Sequence, residues 1–307
     1  MTKLGYLVPT REQIMQGSHG TRELLQRAKF AKDAGFDSLW VGDSLFARPR
    51  HDPLTLLAAL AIETPGMELG TAILLQSLRN PIILAQQLAT IDQLAEGKLI
   101  VGVGIGADAP SIRAEFSAAG VPFEKRVGRL VESVNLCRAL WRGEPVTWNG
   151  RWQVEDALVA PTPFQEGGPR IWYAAGVDAG VERAGKHFDG WFPIGPDAAT
   201  IARQQQILNG AAAVSGRHVS TAVYLTICVD DSIETADQKI NDYLEQYYGF
   251  SAEILRGIQA CCGGDAESVL AWMNEFVDAG AEHLVIRIVG DYQKALGEIA
   301  RLRHLLK

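Results

Sequence analysis

"LIVGVGIGADAP", residues 99–110, is an apolar, β-branched run that breaks into alternating glycines. Gly104, Gly106 and Ala109 fit the spacing G-x-G-x-x-G/A of a dinucleotide-binding turn, and the run before them reads as a strand. In a doubly wound sheet such a turn follows the first strand of its domain and opens directly into a helix. An acidic residue then ends a second strand about 20 positions on. Here the run is the fourth of its kind, and Pro110 and a broken stretch to Gly120 follow it. The acidic position falls near Glu124, at the start of a helix. The better reading is a strand whose C-terminal end is stripped of side chains, so that a flat ligand can approach the backbone.

Runs of the same kind recur on both sides: "LGYLV" (4–8), "SLWVG" (38–42), "ELGTAILL" (68–75) and "KLIVGVG" (98–104), then "RIWYAAG" (170–176), "GWFPIG" (190–195), "TAVYLTICV" (221–229) and "HLVIRIV" (283–289). Each is too short for a helix and apolar enough for a strand buried on both faces. Helical patterns fill the gaps. Residues 21–35 carry Leu24, Leu25, Ala28 and Ala31 at helical spacing, with a Thr cap and Gly35 as a stop. Residues 80–97 open with Asn-Pro and close on Gly97. Residues 123–143 set Leu130, Val134, Leu136 and Leu140 on one side, and the 230s–240s and the last 17 residues supply two more helices.

Alternating strand and helix imply a parallel sheet with right-handed crossovers. Eight such units in 307 residues close into a TIM (β/α)8 barrel, read as one domain over 1–307. Two longer gaps read as insertions. Residues 142–169 contain "TWNGRWQV", a hairpin with an Asn-Gly turn, and residues 230–282 hold more than one helix.

Composition narrows the function. The formal net charge is −7 with no Lys/Arg-rich run, which argues against a nucleic-acid or anionic-membrane partner. No apolar run has the length of a membrane span or signal segment. Cys137, Cys228, Cys261 and Cys262 form no C-x-x-C pair, which suits a reducing cytoplasm.

Two strand ends carry candidate chemistry. "YAAGVDAG" (173–180) leaves its strand with little side-chain bulk and enters a helix, a setting in which backbone N–H groups can cradle a phosphate or simply pack helix on strand. "SLWVGDSLF" puts Asp43 where the second strand meets its loop, on the face where barrel enzymes build their sites, as a catalytic group or as a turn cap. Other chemistries lack their residues. No strand carries H-x-H for a metal, no lysine ends a strand for a Schiff base, and no G-x-S-x-G elbow occurs. A site of backbone, apolar surface and a phosphate clamp relies on an organic cofactor.

At this point the chain resembles the bacterial luciferase-like monooxygenases, which are flavin and deazaflavin oxidoreductases. The resemblance rests on "AKDAGFDSLWVGDSL", "LGTAILLQSLRNPIILAQQLATIDQLAEGKLIVGVGIG", "GVPFEKRVGRLVESVNLCRALWRGEPVTWNGRW", "PRIWYAAG", "FDGWFPIG" and "DAGAEHLVIRIVG", in that order along nearly the whole chain. It implies FMN or coenzyme F420 at the C-terminal face of the barrel. The ring would lie against Ala72 and Ile73, joined by a non-prolyl cis peptide, with Gly104 and Gly106 giving it room. Ala174, Ala175, Gly176 and Val177 would take the phosphate, with Asp43 beside the cofactor.

The sequence departs from the family in one place. Asp43 is followed by Ser44 where members often carry histidine, which puts in doubt any mechanism needing an imidazole beside the ring. Phe123, Arg126, Arg129 and Glu132 also match, and the spacing of the charged residues reads as an ion-pair ladder fixing a helix to the barrel, with direct contact to the cofactor as the alternative. Trp148, Trp152 and Phe164 either wall the substrate pocket or pack the hairpin.

The expectation is a redox enzyme acting on a small organic substrate. With reduced FMN it would be a monooxygenase, and with F420 it would transfer hydride without oxygen. A non-catalytic flavin-binding barrel and a phosphosugar barrel enzyme are the alternatives. The resemblance also suggests a homodimer.

Overall fold

The computed structural model describes residues 2–214 and 216–307. Its strands are β1 (Lys3–Leu7), β2 (Ser38–Val41), β3 (Glu68–Thr71), β4 (Leu99–Val103), β5 (Val146–Asn149), β6 (Gln153–Ala157), β7 (Arg170–Tyr173), β8 (Gly190–Trp191), β9 (Ser220–Val229), β10 (Cys261–Gly264) and β11 (His283–Ile288). Eight of them form a closed parallel barrel in the order β1-β2-β3-β4-β7-β8-β9-β11, with β11 returning to β1. All eight apolar runs supply these strands. The glycine-rich run is the fourth strand of the barrel, flanked by β3 and β7.

The strands are apolar throughout because both faces are covered. Outward residues meet the helices in one large core, including Leu39, Leu69, Val101 and Leu225. Inward residues form a second cluster of Leu7, Trp40, Ile100, Trp172, Phe192 and Tyr224, with Ala222 and Val285. Trp40 stacks on Trp172 at 5.4 Å. The two rings fill the barrel because glycines leave room beside them. A methyl group at Gly70 would strike the Trp40 ring and one at Gly190 the Trp172 ring.

Several local expectations change. The helix Thr21–Asp33 is capped by Gly20, not by a threonine side chain. The helix Pro81–Leu94 does begin as expected, with Asn80 accepting from the Ile82 amide and Pro81 in the first turn. Pro110 opens the helix Pro110–Ala118, where a broken stretch was expected; proline suits a first helical turn because its missing N–H has no acceptor there. Strand β3 ends at Thr71. The chain then passes through a cis peptide at Ala72–Ile73 and touches β4 again only at Leu74, opposite Val103.

Residues 142–169 do hold a hairpin, but Asn149 pairs with Gln153, so its loop is Gly150–Trp152 and not the Asn-Gly pair. The second insertion contains the helix Ile233–Tyr248, the short helix Ala252–Arg256 and β10. The sequence reading missed β10. It lies against the far half of β9, from Thr226 to Val229, and carries only cysteines and glycines. No helix among the described residues is long and apolar enough to cross a membrane.

Candidate functional site

The C-terminal mouth of the barrel has two unlike halves. Alternation along the strands sends Gly42, Ala72, Gly102, Gly104 and Ala174 to the inside near the ends of β2, β3, β4 and β7. That half is bare. On β9 and β11 the same alternation sends Tyr224, Thr226 and Arg287 inward, and this half is polar.

The bare half is shaped by the segment after β3. Ala72 and Ile73 pack on the interior cluster beneath the mouth. A Cβ at Gly104 would sit 2.5 Å from Ile73 Cδ1, so Gly104 makes room first for the Ile73 side chain. A Cβ at Gly102 would collide with the Thr71 carbonyl oxygen. The expected cofactor residues of β3 and β4 are thus interlocked, with little side chain above them.

Asp43 is the anchor of this segment. Its carboxylate accepts from the Leu75 amide at 2.8 Å and from Arg79 at 2.5 and 3.0 Å, and its side chain is 3% exposed. Both oxygens are engaged by the loop that follows β3. Ser44 turns away from the mouth. Its hydroxyl donates to the buried Glu115, which also accepts from the Phe46 and Ala47 amides. The position that often holds the family's histidine is here a fastening between the β2 loop and the helix Pro110–Ala118.

The strand end at Ala174–Val177 is open. The Ala175 carbonyl accepts from Trp191 Nε1 and the Gly176 carbonyl from Gln204, each at 2.9 Å, so two peptide planes are fixed from behind. Nothing stands within 4 Å of where a Cβ on Gly176 would be. The helix Asp178–His187 starts there, and its first amides have no intrahelical acceptor. Asp178 would oppose an anion, but Arg203 holds its carboxylate through two 2.9 Å hydrogen bonds, which bring its pKa down to about 2. The bareness of this turn and the shallow floor at Ala72–Gly104 fit a phosphate-bearing flat cofactor.

The ladder expected of Arg126, Arg129 and Glu132 does not form. Arg126 lies over the Phe123 ring at 3.7 Å and donates to the Phe123 carbonyl. Arg129 donates to the Ser77 carbonyl and covers Trp152. Glu132 pairs with Arg151 of the hairpin. Aromatic faces and backbone oxygens within reach take the guanidinium groups away from one another. Trp148 and Trp152 pack the hairpin on this helix, and Phe164 rests against Gly97, before the start of β4.

Sequence reasoning missed the polar half entirely. Tyr247, on the helix Ile233–Tyr248, accepts at its hydroxyl from Arg50 (2.8 Å) and Arg287 (3.0 Å). Burial pushes the Tyr224 hydroxyl well above its ordinary pKa, so it stays neutral, and among the described residues it has no hydrogen-bond partner. One signal was available: Arg287 interrupts "HLVIRIV", an otherwise apolar strand. A cavity of about 400 Å³ lies at the opposite, N-terminal end of the barrel, lined by Lys3, Glu68, Arg170 and His283. It contains none of these residues.

The family model of the luciferase-like monooxygenases matches residues 2–301. The chain belongs to the luciferase-like monooxygenase family. At that level it is a flavin- or F420-dependent oxidoreductase. Among curated luciferase-like relatives, the F420-dependent glucose-6-phosphate dehydrogenase of Mycobacterium avium (strain 104) is 29% identical, with 97% of this chain and 95% of that one covered. The enzyme of the same name from Nocardia farcinica (strain IFM 10152) is 30% identical, with 90% of each covered. Among solved structures, an F420-dependent secondary alcohol dehydrogenase superposes with a TM-score of 0.85 at 20% identity, over 100% of this chain and 99% of that one. The monooxygenase RslO1 from Streptomyces bottropensis gives 0.83 at 20% identity, over 98% and 99%.

Proposed function

We propose that this luciferase-like protein is an F420-dependent oxidoreductase that moves a hydride to or from a small organic substrate. The observation that carries the reading is the two-part mouth, with a bare floor for a flat ring beside a wall of hydrogen-bond donors for a substrate. The choice of deazaflavin over FMN is favoured by relatives 28–30% identical along 90–97% of this chain, whose names state F420 dependence.

In this reading Ala72 and Ile73 back the ring and Gly104 keeps the β4 side clear, while Gly106, at φ 73°, turns the chain close against Ile112 and Phe116 beside the site. Ala174, Ala175, Gly176 and Val177 hold the phosphate. When bound, the deazaflavin supplies the hydride chemistry. The chain orients and excludes water. Asp43 and Arg79 fix the segment behind the ring. Tyr224, neutral and on the interior face, with no hydrogen-bond partner for its hydroxyl among the described residues, donates a hydrogen bond to the substrate oxygen at the carbon that changes oxidation state.

Separate titration of the apoprotein with F420 and FMN tests the cofactor. Tight F420 binding with reduction of the bound ring by an organic donor is expected. Preference for FMN, with oxygen consumption by the reduced complex, would overturn it in favour of a monooxygenase. Binding of either without turnover would leave a ligand-binding barrel.

A further inference from the structure

Three arginines meet on one tyrosine at the mouth. Tyr247 Oη accepts from Arg50 and from Arg287, and Arg11 lies over the same ring at 4.7 Å while donating to the Tyr247 carbonyl. They come from separate parts of the fold, which are the helix after β1, the loop after β2, and β11. Glu12 is the carboxylate beside them. It lies 3.5 Å from Arg287 Nε, and it accepts from Tyr243 at 2.5 Å. Three guanidinium charges against one carboxylate leave the cluster at +2, in a protein whose net charge is −7. Like charges brought together away from bulk water repel strongly.

Donors in the cluster are also unfilled. Arg287 is 5% exposed, yet among the described residues its Nε has no hydrogen-bond partner, and neither do Nε and Nη1 of Arg11. Next to Arg287 in register, Thr226 is fully buried, with its hydroxyl beside the Cys261 thiol. Arg50 and Arg11 are half-buried, and Arg50 is the one that reaches the floor. Its Nε and Nη2 are used by the Arg48 carbonyl and Tyr247, and Nη1 lies over Gly42, at the edge of the bare floor. Glycine at 42 is what admits the guanidinium there.

We infer that this cluster is an anion seat, and that the substrate carries a carboxylate or phosphate group which docks on Arg50 with Arg287 and Tyr247 behind it. The inference rests on the reading of the mouth as the reaction site. The anion cancels the surplus charge and fills planar donors suited to two-point contact with an oxyanion. It would also place the rest of the substrate over the floor at Ala72, so the wall selects the substrate and orients it.

The probes are inorganic phosphate and butyrate, with 1-butanol as the neutral control, titrated calorimetrically into the apoprotein. Saturable binding of an anion, absence of butanol binding, and weakening by at least about tenfold in Arg50→Gln are expected. F420 or FMN affinity should move by less than about threefold in the same variant. Tyr247→Phe, which keeps all three charges but removes the shared acceptor, should weaken the anion by a smaller factor and serves where Arg50→Gln does not fold.

Wild-type anion affinity in folded Arg50→Gln overturns the proposal. So does anion binding lost in Gly176→Asp but kept in Arg50→Gln, which would assign the anion to the turn at Ala174–Val177. A tyrosinate absorbance band at neutral pH that vanishes in Tyr247→Phe would overturn it too, because the compensating charge would then be internal. Failure of the parent reading looks different: neither cofactor binds the wild-type protein.

Discussion

Asp43 and Arg79 form a two-point carboxylate–guanidinium pair, at 2.5 and 3.0 Å, across the loop that follows the bend after β3. The pair is mostly enclosed, with side chains 3% and 17% exposed. Removing one partner leaves the other charge poorly solvated, at a cost of about 3 kcal/mol. Asp43→Ala should therefore lower thermal stability and cofactor affinity together. Asp43→Asn, which keeps the shape and can still accept from the Leu75 amide, should recover part of both. A variant that melts like wild type but no longer turns over would instead make Asp43 a direct participant in the reaction.

Gly102 and Gly104 separate fold from function. A methyl at Gly102 runs into a backbone oxygen, that of Thr71, which cannot swing aside as the end of a side chain can. Gly102→Ala should cost at least about 3 kcal/mol, read as a lower denaturant midpoint at constant slope. At Gly104 the obstacle is the end of the Ile73 side chain, 2.5 Å away. Gly104→Ala should fold with a loss nearer about 1 kcal/mol and push Ile73 toward the space above it. Its cofactor affinity should drop by about tenfold or more.

The barrel was legible because buried strands have a plain signature. Runs such as "SLWVG" and "HLVIRIV" are apolar on both faces, and their order allows few topologies. Strand β10 was not legible. Cys261–Gly264 has no branched or large side chain to mark it as a strand. The bare half of the site was readable from its glycines and alanines. The polar half was not, because Arg11, Arg50, Tyr247 and Arg287 are far apart in sequence and meet only when the insertion after β9 folds over the mouth. The arginine ladder failed for the same reason: helical spacing records neighbours on one helix, and Arg129 and Glu132 bind partners from other segments.

His283 gives the protein a pH dependence. It sits inside the barrel, 3% exposed, 2.7 Å from the Ser38 hydroxyl, and is edge-on to Trp40 and Trp172. Burial brings its pKa down to about 4. The neutral ring is favoured in the folded chain, while the unfolded chain takes up a proton near pH 6.5. Nothing is lost above that value. As pH falls from about 6.5 toward 4 the unfolded state binds the extra proton, and stability drops by up to about 3 kcal/mol. Equilibrium unfolding at pH 7.5 and pH 4.5 should show this drop. His283→Gln should start less stable and lose less between the two values. An equal loss in the variant would place the titration elsewhere.

The turn at Ala174–Val177 makes the last prediction. Gly176 has open space around its Cα, and its carbonyl is held by Gln204. A side chain can therefore be added there without disturbing the fold. Gly176→Asp puts a carboxylate where the phosphate would sit, against a carboxylate at 178 that Arg203 already neutralises. The melting temperature should stay within a few degrees of wild type. Affinity for a phosphate-bearing cofactor should weaken by at least about tenfold through like-charge repulsion and loss of the amide contacts. Riboflavin, which has the ring and side chain of FMN without its phosphate, should bind both proteins alike. If riboflavin and FMN weaken together, the turn contacts the ring or the ribityl chain. If neither weakens, the phosphate lies elsewhere on the mouth.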